Sequence, residues 1–517
     1  MQNEARLKAE EFLQVASQFK LGALPTEQRH PLTYELADLS RRDIPAAIHI
    51  QKEIDLGVLA AVAARGAELA RLEAAIRSAL CAGNRVFFYG CGATGRLSMA
   101  IEYIWRHLHR GRSEADNVLG FMSGGDLALV HSIENFEDHP EFGARQLREI
   151  GFGPDDLLVC CTEGGETPSV IGATEEATRL SSRKPFFLYC NPDDVLHAEV
   201  ERSRLVLENP AIEKICLFVG PMALSGSTRL QASTALMLGA GCALLRAADT
   251  GIAAPDIAAL IDFMNKTDFS FLAAFTEKES EIYAAGDFVL YETNDYGITI
   301  LTDTTERAPT FSLLGFENQN NPARTPSLSY FCLPQTSGAD EAWREILLRT
   351  PITIEWDELK AIAGRERLMG FDFSAKARAQ REALIAPHNL HRFVIERQGD
   401  DIVFTLAGHT HRVNVQGLHP FFEHLFLKMA LNMHSTLVMG RGGRFESNVM
   451  TWVKPSNKKL IDRAIRYVEY ILQHQNVSGF SYADICYQLF EEAQKMTPAQ
   501  SVVLLTVESL KMKIRQA

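Results

Sequence analysis

The run Arg85-Val-Phe-Phe-Tyr-Gly90-Cys-Gly92-Ala-Thr94-Gly95-Arg96-Leu97 restricts the possible folds more than any other stretch of this chain. Its apolar beginning reads as a buried strand, its glycines as a tight turn and its end as the start of a helix. Strand, glycine turn and helix in that order belong to a parallel α/β sheet. The helix start offers unpaired N–H groups and the positive end of a dipole, so an anion, most often a phosphate, is its natural guest.

The same rhythm continues along the chain. Strands are expected at 117–122, 156–161, 185–190, 204–207 and 215–219, with helices near 141–149 and 168–180 and a long helix from Ser227 to about Arg246. A second unit follows, with helical residues 256–285, strands at 287–292, 298–303 and 328–333, and a helix at 338–349. Alternating stretches at 391–397 and 401–406 read as a hairpin, 418–440 as a long amphipathic helix and 455–517 as a helical tail. The fold class expected is α/β, with two doubly wound, flavodoxin-like parallel sheets between helical N-terminal and C-terminal segments. The divisions fall at 1–50, 51–250, 251–445 and 446–517. An old duplication is suspected from the shared order of elements, although the two units share little sequence.

Acidic residues outnumber basic ones, 65 to 52, for a net charge of −13. That argues against nucleic acid as the main partner, because phosphate backbones need a basic footprint. The nine cysteines are odd in number and scattered, with no C-x-x-C pair, and read as reduced thiols of a cytoplasmic protein. No apolar run is long enough to span a membrane, and the charged N-terminus has no signal-peptide core. His409 with His411, and His419 with His424, lack zinc-ligand spacing, so no metal is expected.

A second loop, Thr162-Glu163-Gly164-Gly165-Glu166-Thr167-Pro168, follows the apolar run 157–161 and again offers hydroxyls, glycines and a helix start. In a parallel sheet both loops lie at the carboxyl ends of strands, where ligands bind. Gly90-x-Gly92-x-x-Gly95 also fits a dinucleotide fingerprint, with Asp126 as the ribose acid. Two facing cradles suit a compact sugar phosphate better. The bland alternative is a pair of polar turns with solvated helix starts.

With Glu134-Asn-Phe-Glu137-Asp138, Cys190-Asn-Pro192, Gly226-Ser-Thr-Arg-Leu230, Leu431-Asn-Met-His-Ser-Thr436 and Ser456-Asn-Lys-Lys-Leu460, these loops form an ordered set. The set resembles the sugar isomerase (SIS) domain family, and within it the branch of the N-acetylmuramic acid 6-phosphate etherases and the glucokinase regulatory proteins. The resemblance covers most of 55–245 and 420–515, and the chain's length and rhythm are similar to the two-domain, helix-capped layout of the regulatory proteins. It implies a phosphate held by Gly92, Thr94 and Gly95 in the first loop and by Thr162, Gly164 and Thr167 in the second, with Glu163 also among the substrate-binding residues. Ser227 and Thr228 are implied nearby, and Lys459 is implied to reach in from the second half. A solvated helix face is the alternative for Lys459. Arg96 and Arg229 are either phosphate partners or members of interior ion pairs.

The resemblance also places Glu134 and Glu137 against the sugar, with Glu137 as the base if the chain is an enzyme. The alternative for this pair is an acidic helix start that complements the dipole. Ether elimination needs an acid as well as a base. Counting from Gly90, the etherase acid falls on Ile104, and Glu102 lies two residues away, a helical rotation of about 200°. The expectation is therefore a binder of hexose or hexosamine 6-phosphate that regulates a protein partner, a sugar kinase, without a cofactor. A sugar-phosphate lyase or isomerase using Glu137 is the alternative. The sequence leaves self-association open.

Overall fold

The computed structural model describes residues 2–18, 21–133, 136–455, 458–497 and 500–516. Val86–Gly90 (β1), Val118–Met122 (β2), Leu157–Cys161 (β3), Phe186–Tyr189 (β4) and Glu213–Cys216 (β5) form an all-parallel sheet in the order β2-β1-β3-β4-β5. Alternation within the strands explains the layers. Val86 and Phe88 enter one hydrophobic core, Phe87 and Tyr89 another, and Cys161 and Cys160 part in the same way. A sheet that is apolar on both faces needs helices on both. Ala93–Leu108 (α1) covers the first face, and Pro168–Leu180 (α2) with the helix Pro140–Glu149 covers the other. Gln231–Ala247 (α3) returns to the first face.

The second sheet is mixed. Phe288–Glu292 (β6) pairs in parallel with Ser329–Cys332 (β7) and Leu390–Gln398 (β8). Asp401–Leu406 (β9) and His409–Asn414 (β10) then add antiparallel strands, in the order β10-β9-β8-β6-β7. The triplet β7-β6-β8 repeats the arrangement β2-β1-β3. After β8 the two units diverge, because the chain reverses at Gly399 (φ 62°) into a hairpin where the first unit sends a helix.

Two expected strands are helical. Residues 298–303 lie inside Gly297–Phe311 (α4), where Ile298, Thr299, Ile300, Leu301 and Asp303 are all buried. Burial on every side removes the two-fold contrast that marks a half-exposed strand, and packing overrides the β-branched composition. Residues 204–207 lie in the helix Glu201–Glu208, with Leu205 exposed and Val206 buried; so short a run carries too little periodicity to separate the two structures.

Pro420–Arg441 (α5) is buried over almost its whole length and joins the two units. It crosses α3 so closely that a Cβ on Gly241 would lie 2.3 Å from the Phe421 ring. Lys458–His474 (α6), with helices Tyr482–Ala493 and Val502–Gln516, leans on the first unit, where the Tyr467 hydroxyl donates to the Ser225 carbonyl at 2.7 Å. Among the described residues no helix is long and apolar enough to cross a membrane. The nine cysteines are unpaired.

Candidate functional site

The strand order reverses direction at β1, which has β2 on one side and β3 on the other. A crevice opens at such a switch point, outside the carboxyl ends of the strands. Gly90 lies opposite Met122 and Cys161, so the chain leaves β1 and β3 at the same height. The two loops singled out in the sequence are therefore neighbours.

The first loop is shaped by contact. A Cβ on Gly90 would sit 2.4 Å from the Thr94 carbonyl carbon, and one on Gly95 would sit 2.4 Å from the Met122 Cβ. Gly92 (φ 57°) precedes α1 and faces open space. Thr94 is buried, and its hydroxyl accepts from the Cys91 N–H at 3.0 Å and donates to the Cys91 carbonyl at 2.9 Å. It braces the turn from within, leaving the backbone N–H groups at the start of α1 to meet a guest.

The second loop is held from below and behind. Thr162 donates its N–H to Leu188, and its hydroxyl meets that of Thr167 at 3.2 Å. Asn191, after β4, donates to the Gly164 carbonyl at 3.1 Å and to Thr26 of the N-terminal segment at 3.0 Å. Glu166 is buried between Arg202 and Lys459, with the Lys459 ammonium 3.0 Å from its carboxylate. Burial alone would raise the Glu166 carboxyl, but Lys459 and Arg202 outweigh it and hold it below the ordinary range. Glu163 has no such partner. Burial pushes its carboxyl up to about 7, and Oε1 makes no hydrogen bond among the described residues.

Further groups border the crevice. The Cys91 thiol donates to Glu137 Oε2 at 3.5 Å, so this half-buried carboxylate lies against the first loop. Burial, then Glu137, raise the thiol well above its usual range. Lys459 is pushed up chiefly by Glu166, with burial opposing and Glu137 and Glu27 adding to the rise. Ser227 is buried with its hydroxyl unpartnered among the described residues, and Thr228 is half-buried beside it. Glu134 lies outside the described residues.

Several candidates point elsewhere. Arg229 belongs to a buried ion pair with Asp303 of α4 at 3.1 Å. Arg96 is buried and donates to the Leu129 carbonyl at 3.2 Å. Asp126, the ribose acid of the dinucleotide alternative, is bound at 2.6 Å by Arg349 and by the Ile352 N–H. Glu102 is held by Arg106 at 2.7 Å and by Arg349 at 2.8 Å, and Ile104 is packed in the core. The position to which counting from Gly90 assigns the etherase acid thus carries no carboxyl, and the acid nearest to it in sequence, Glu102, is fixed in an ion-pair cluster. Sequence reasoning missed Arg202 and Arg349. Arg202 falls in the first turn of the helix Glu201–Glu208, whose residues 204–207 read as a strand from sequence, and Arg349 acts on residues more than two hundred positions away. The second sheet repeats no paired cradle. Its β8 enters a hairpin, and the turn after β6 is closed by Thr293 and by Asp295, which accepts the Arg397 N–H at 2.8 Å.

An all-parallel sheet whose switch point carries two adjacent glycine- and hydroxyl-bearing turns, each opening a helix, defines an α/β protein that receives ligands at the strand ends. The family model of the glucokinase regulatory protein N-terminal SIS domain matches residues 69–177, which include both loops. An N-acetylmuramic acid 6-phosphate etherase from Synechococcus elongatus is 34% identical over 215 residues, 41% of this chain and 64% of that protein. One from Aeromonas hydrophila is 31% identical over 218 residues, 42% of this chain and 67% of that protein. The match thus spans about two thirds of these relatives' length. A solved tagatose-6-phosphate ketose/aldose isomerase from Escherichia coli aligns at 12% identity with a TM-score of 0.43, covering 79% of this chain and 97% of that one. The chain belongs to the SIS domain family.

Proposed function

We propose that this chain binds a hexose or hexosamine 6-phosphate at the carboxyl edge of the first sheet and acts as a sugar-phosphate-responsive regulator without turning the ligand over. The observation that carries the reading is the register of β1 with β3, which sets the loop at 92–95 beside the loop at 162–167. Two helix starts and the Lys459 ammonium, which pairs with Glu166 of the second loop, then border one sheet edge where a phosphate would be held. Gly92, Thr94 and Gly95 shape one side, Thr162, Gly164 and Thr167 the other, and Ser227, Thr228 and Glu137 meet the sugar. Lys459 sits on α6, so a phosphate that shares it with Glu166 biases how the C-terminal helices pack. That packing change is the signal a protein partner, a sugar kinase, would read.

The lack of an acid at Ile104 and the engagement of Glu102 support binding without ether cleavage. A second reading, a lyase or isomerase with Glu137 as base, is favoured by the contact of Glu137 with the first loop. Thermal unfolding with fructose 6-phosphate, glucosamine 6-phosphate and muramic acid 6-phosphate, with product analysis of the same mixtures, separates the two. A binder shows a dose-dependent rise in Tm, about 2.7 kcal/mol of stabilisation at a hundredfold excess over Kd, and no product. Product formation that disappears in Glu137→Gln would establish the enzyme, and no response to any sugar phosphate would overturn both readings.

A further inference from the structure

The carboxylates around the crevice are unequally compensated. Glu166 is neutralised by both nearby cations, Lys459 and Arg202. Among the described residues neither Glu137 nor Glu163 has a cation within ion-pairing distance. Glu163 is the more telling of the two. It is only 8% exposed, and its Oε1 makes no hydrogen bond. It lies in the second loop, near enough for its charge to act on Cys91 in the first loop and on Arg96 in α1, and to feel Lys459 from α6. A bond from its own backbone N–H eases this burial, Glu306 of α4 adds further negative charge, and the cations whose fields oppose that charge, Lys459, Lys428 and Arg96, make no ion pair with Glu163 among the described residues. Ser227 keeps a second buried oxygen without a partner among the described residues.

A buried carboxylate with one oxygen left without a donor is costly to keep. A plain sugar phosphate worsens the imbalance, because it brings its own negative charge toward an uncompensated acid. A ligand that carries a cation beside its phosphate removes the conflict, giving the helix starts and Lys459 an anion and Glu163 a charged donor. We infer that the site selects an unacetylated amino-sugar phosphate, whose ammonium group donates to the Glu163 carboxylate while its phosphate occupies the two loops. This rests on the sugar-phosphate reading and adds the ligand's amine to it. Acetylation would abolish the preference by removing the charge and adding bulk next to a packed loop.

Calorimetric titration of the full chain with glucosamine 6-phosphate, glucose 6-phosphate and N-acetylglucosamine 6-phosphate tests the inference without any variant. Glucosamine 6-phosphate is expected to bind about 10- to 100-fold more tightly than the other two, the range for a hydrogen bond between charged groups in place of a neutral contact. In Glu163→Gln, with folding checked by circular dichroism, the three affinities should converge, mainly through loss for the amino sugar. Equal affinities in the unsubstituted protein would sink the amine assignment and leave the sugar-phosphate reading standing. A preference that survives in Glu163→Gln but disappears in Glu137→Gln would overturn the role given to Glu163. Failure of all three to bind would remove the underlying reading as well.

Discussion

Thr94 shows how a residue can matter to a ligand it need not touch. Its hydroxyl closes the Cys91–Thr94 turn in both directions, accepting one backbone group and donating to the other, and it is buried. Thr94→Val keeps the shape and removes both bonds, leaving the part-buried Cys91 N–H without its acceptor while the Cys91 carbonyl keeps the Thr94 N–H at 3.1 Å. The expected loss is about 1–3 kcal/mol of stability, read from urea unfolding. Because the turn presents the N–H groups at the start of α1, the same variant should also lose most of its ligand-induced rise in Tm. Thr94→Ser, which keeps the hydroxyl, should behave close to the unsubstituted protein. A valine variant of full stability and full ligand response would show that the brace is dispensable.

At the scale of elements, Glu27 ties the N-terminal segment to α6. Arg463 lies 2.6 Å and Arg466 3.4 Å from its carboxylate, and a Cβ on Gly226 would fall 2.9 Å from it. Burial would raise this carboxyl, yet the two arginines hold it down at about 2. A depressed acid stabilises the fold above its unfolded pKa and loses that contribution as pH falls through the folded value. Glu27 should therefore contribute about 3 kcal/mol near neutrality, declining from about pH 5 toward pH 2. The measurement is urea unfolding of Glu27→Gln against the unsubstituted chain at several pH values. A large deficit is expected at pH 7 and a shrinking one below about pH 4, whereas a deficit independent of pH would rule out the ion-pair account. Such ties were not legible in the sequence, because they join residues hundreds of positions apart. What was legible has local causes. β1 and its turn announce themselves by an apolar run ending in glycines, and the hairpin at 398–401 by alternation on either side of Gly399. The helix over 298–303 was missed because it is buried on nearly every side, so no contrast between a core face and a solvent face reached the sequence. In the site, the two loops could be found by motif, but the ion pairing that distinguishes Glu166 from Glu163 depends on Arg202 and Lys459 arriving from distant elements.

For the molecule as a whole, the decisive contact is Arg349, which crosses from the second unit into the first. Its guanidinium binds Glu102 at 2.8 and 3.0 Å, Asp126 at 2.6 and 3.1 Å, and the Gly120 carbonyl at 3.2 Å. The Ile352 N–H and the Asp126 N–H extend the junction through the backbone, at 2.6 and 2.9 Å. The arginine satisfies two buried acids, so one side chain both joins the units and holds Glu102 in an ion pair. Arg349→Ala leaves Glu102 with only Arg106, and Asp126 with only backbone donors, both in the interior. Breaking a buried pair from one side typically costs about 3–5 kcal/mol, because the remaining charge stays desolvated. The loss falls on the junction, so calorimetric unfolding of the variant should separate into two transitions, and a bound sugar phosphate should raise only the one belonging to the first sheet. Arg349→Lys keeps the charge but not the fork that reaches two acids and a carbonyl together, so it should fall between the two. A single transition at the unsubstituted midpoint in Arg349→Ala would mean that α3 and α5 alone hold the units together and that the arginine merely fills the space between them.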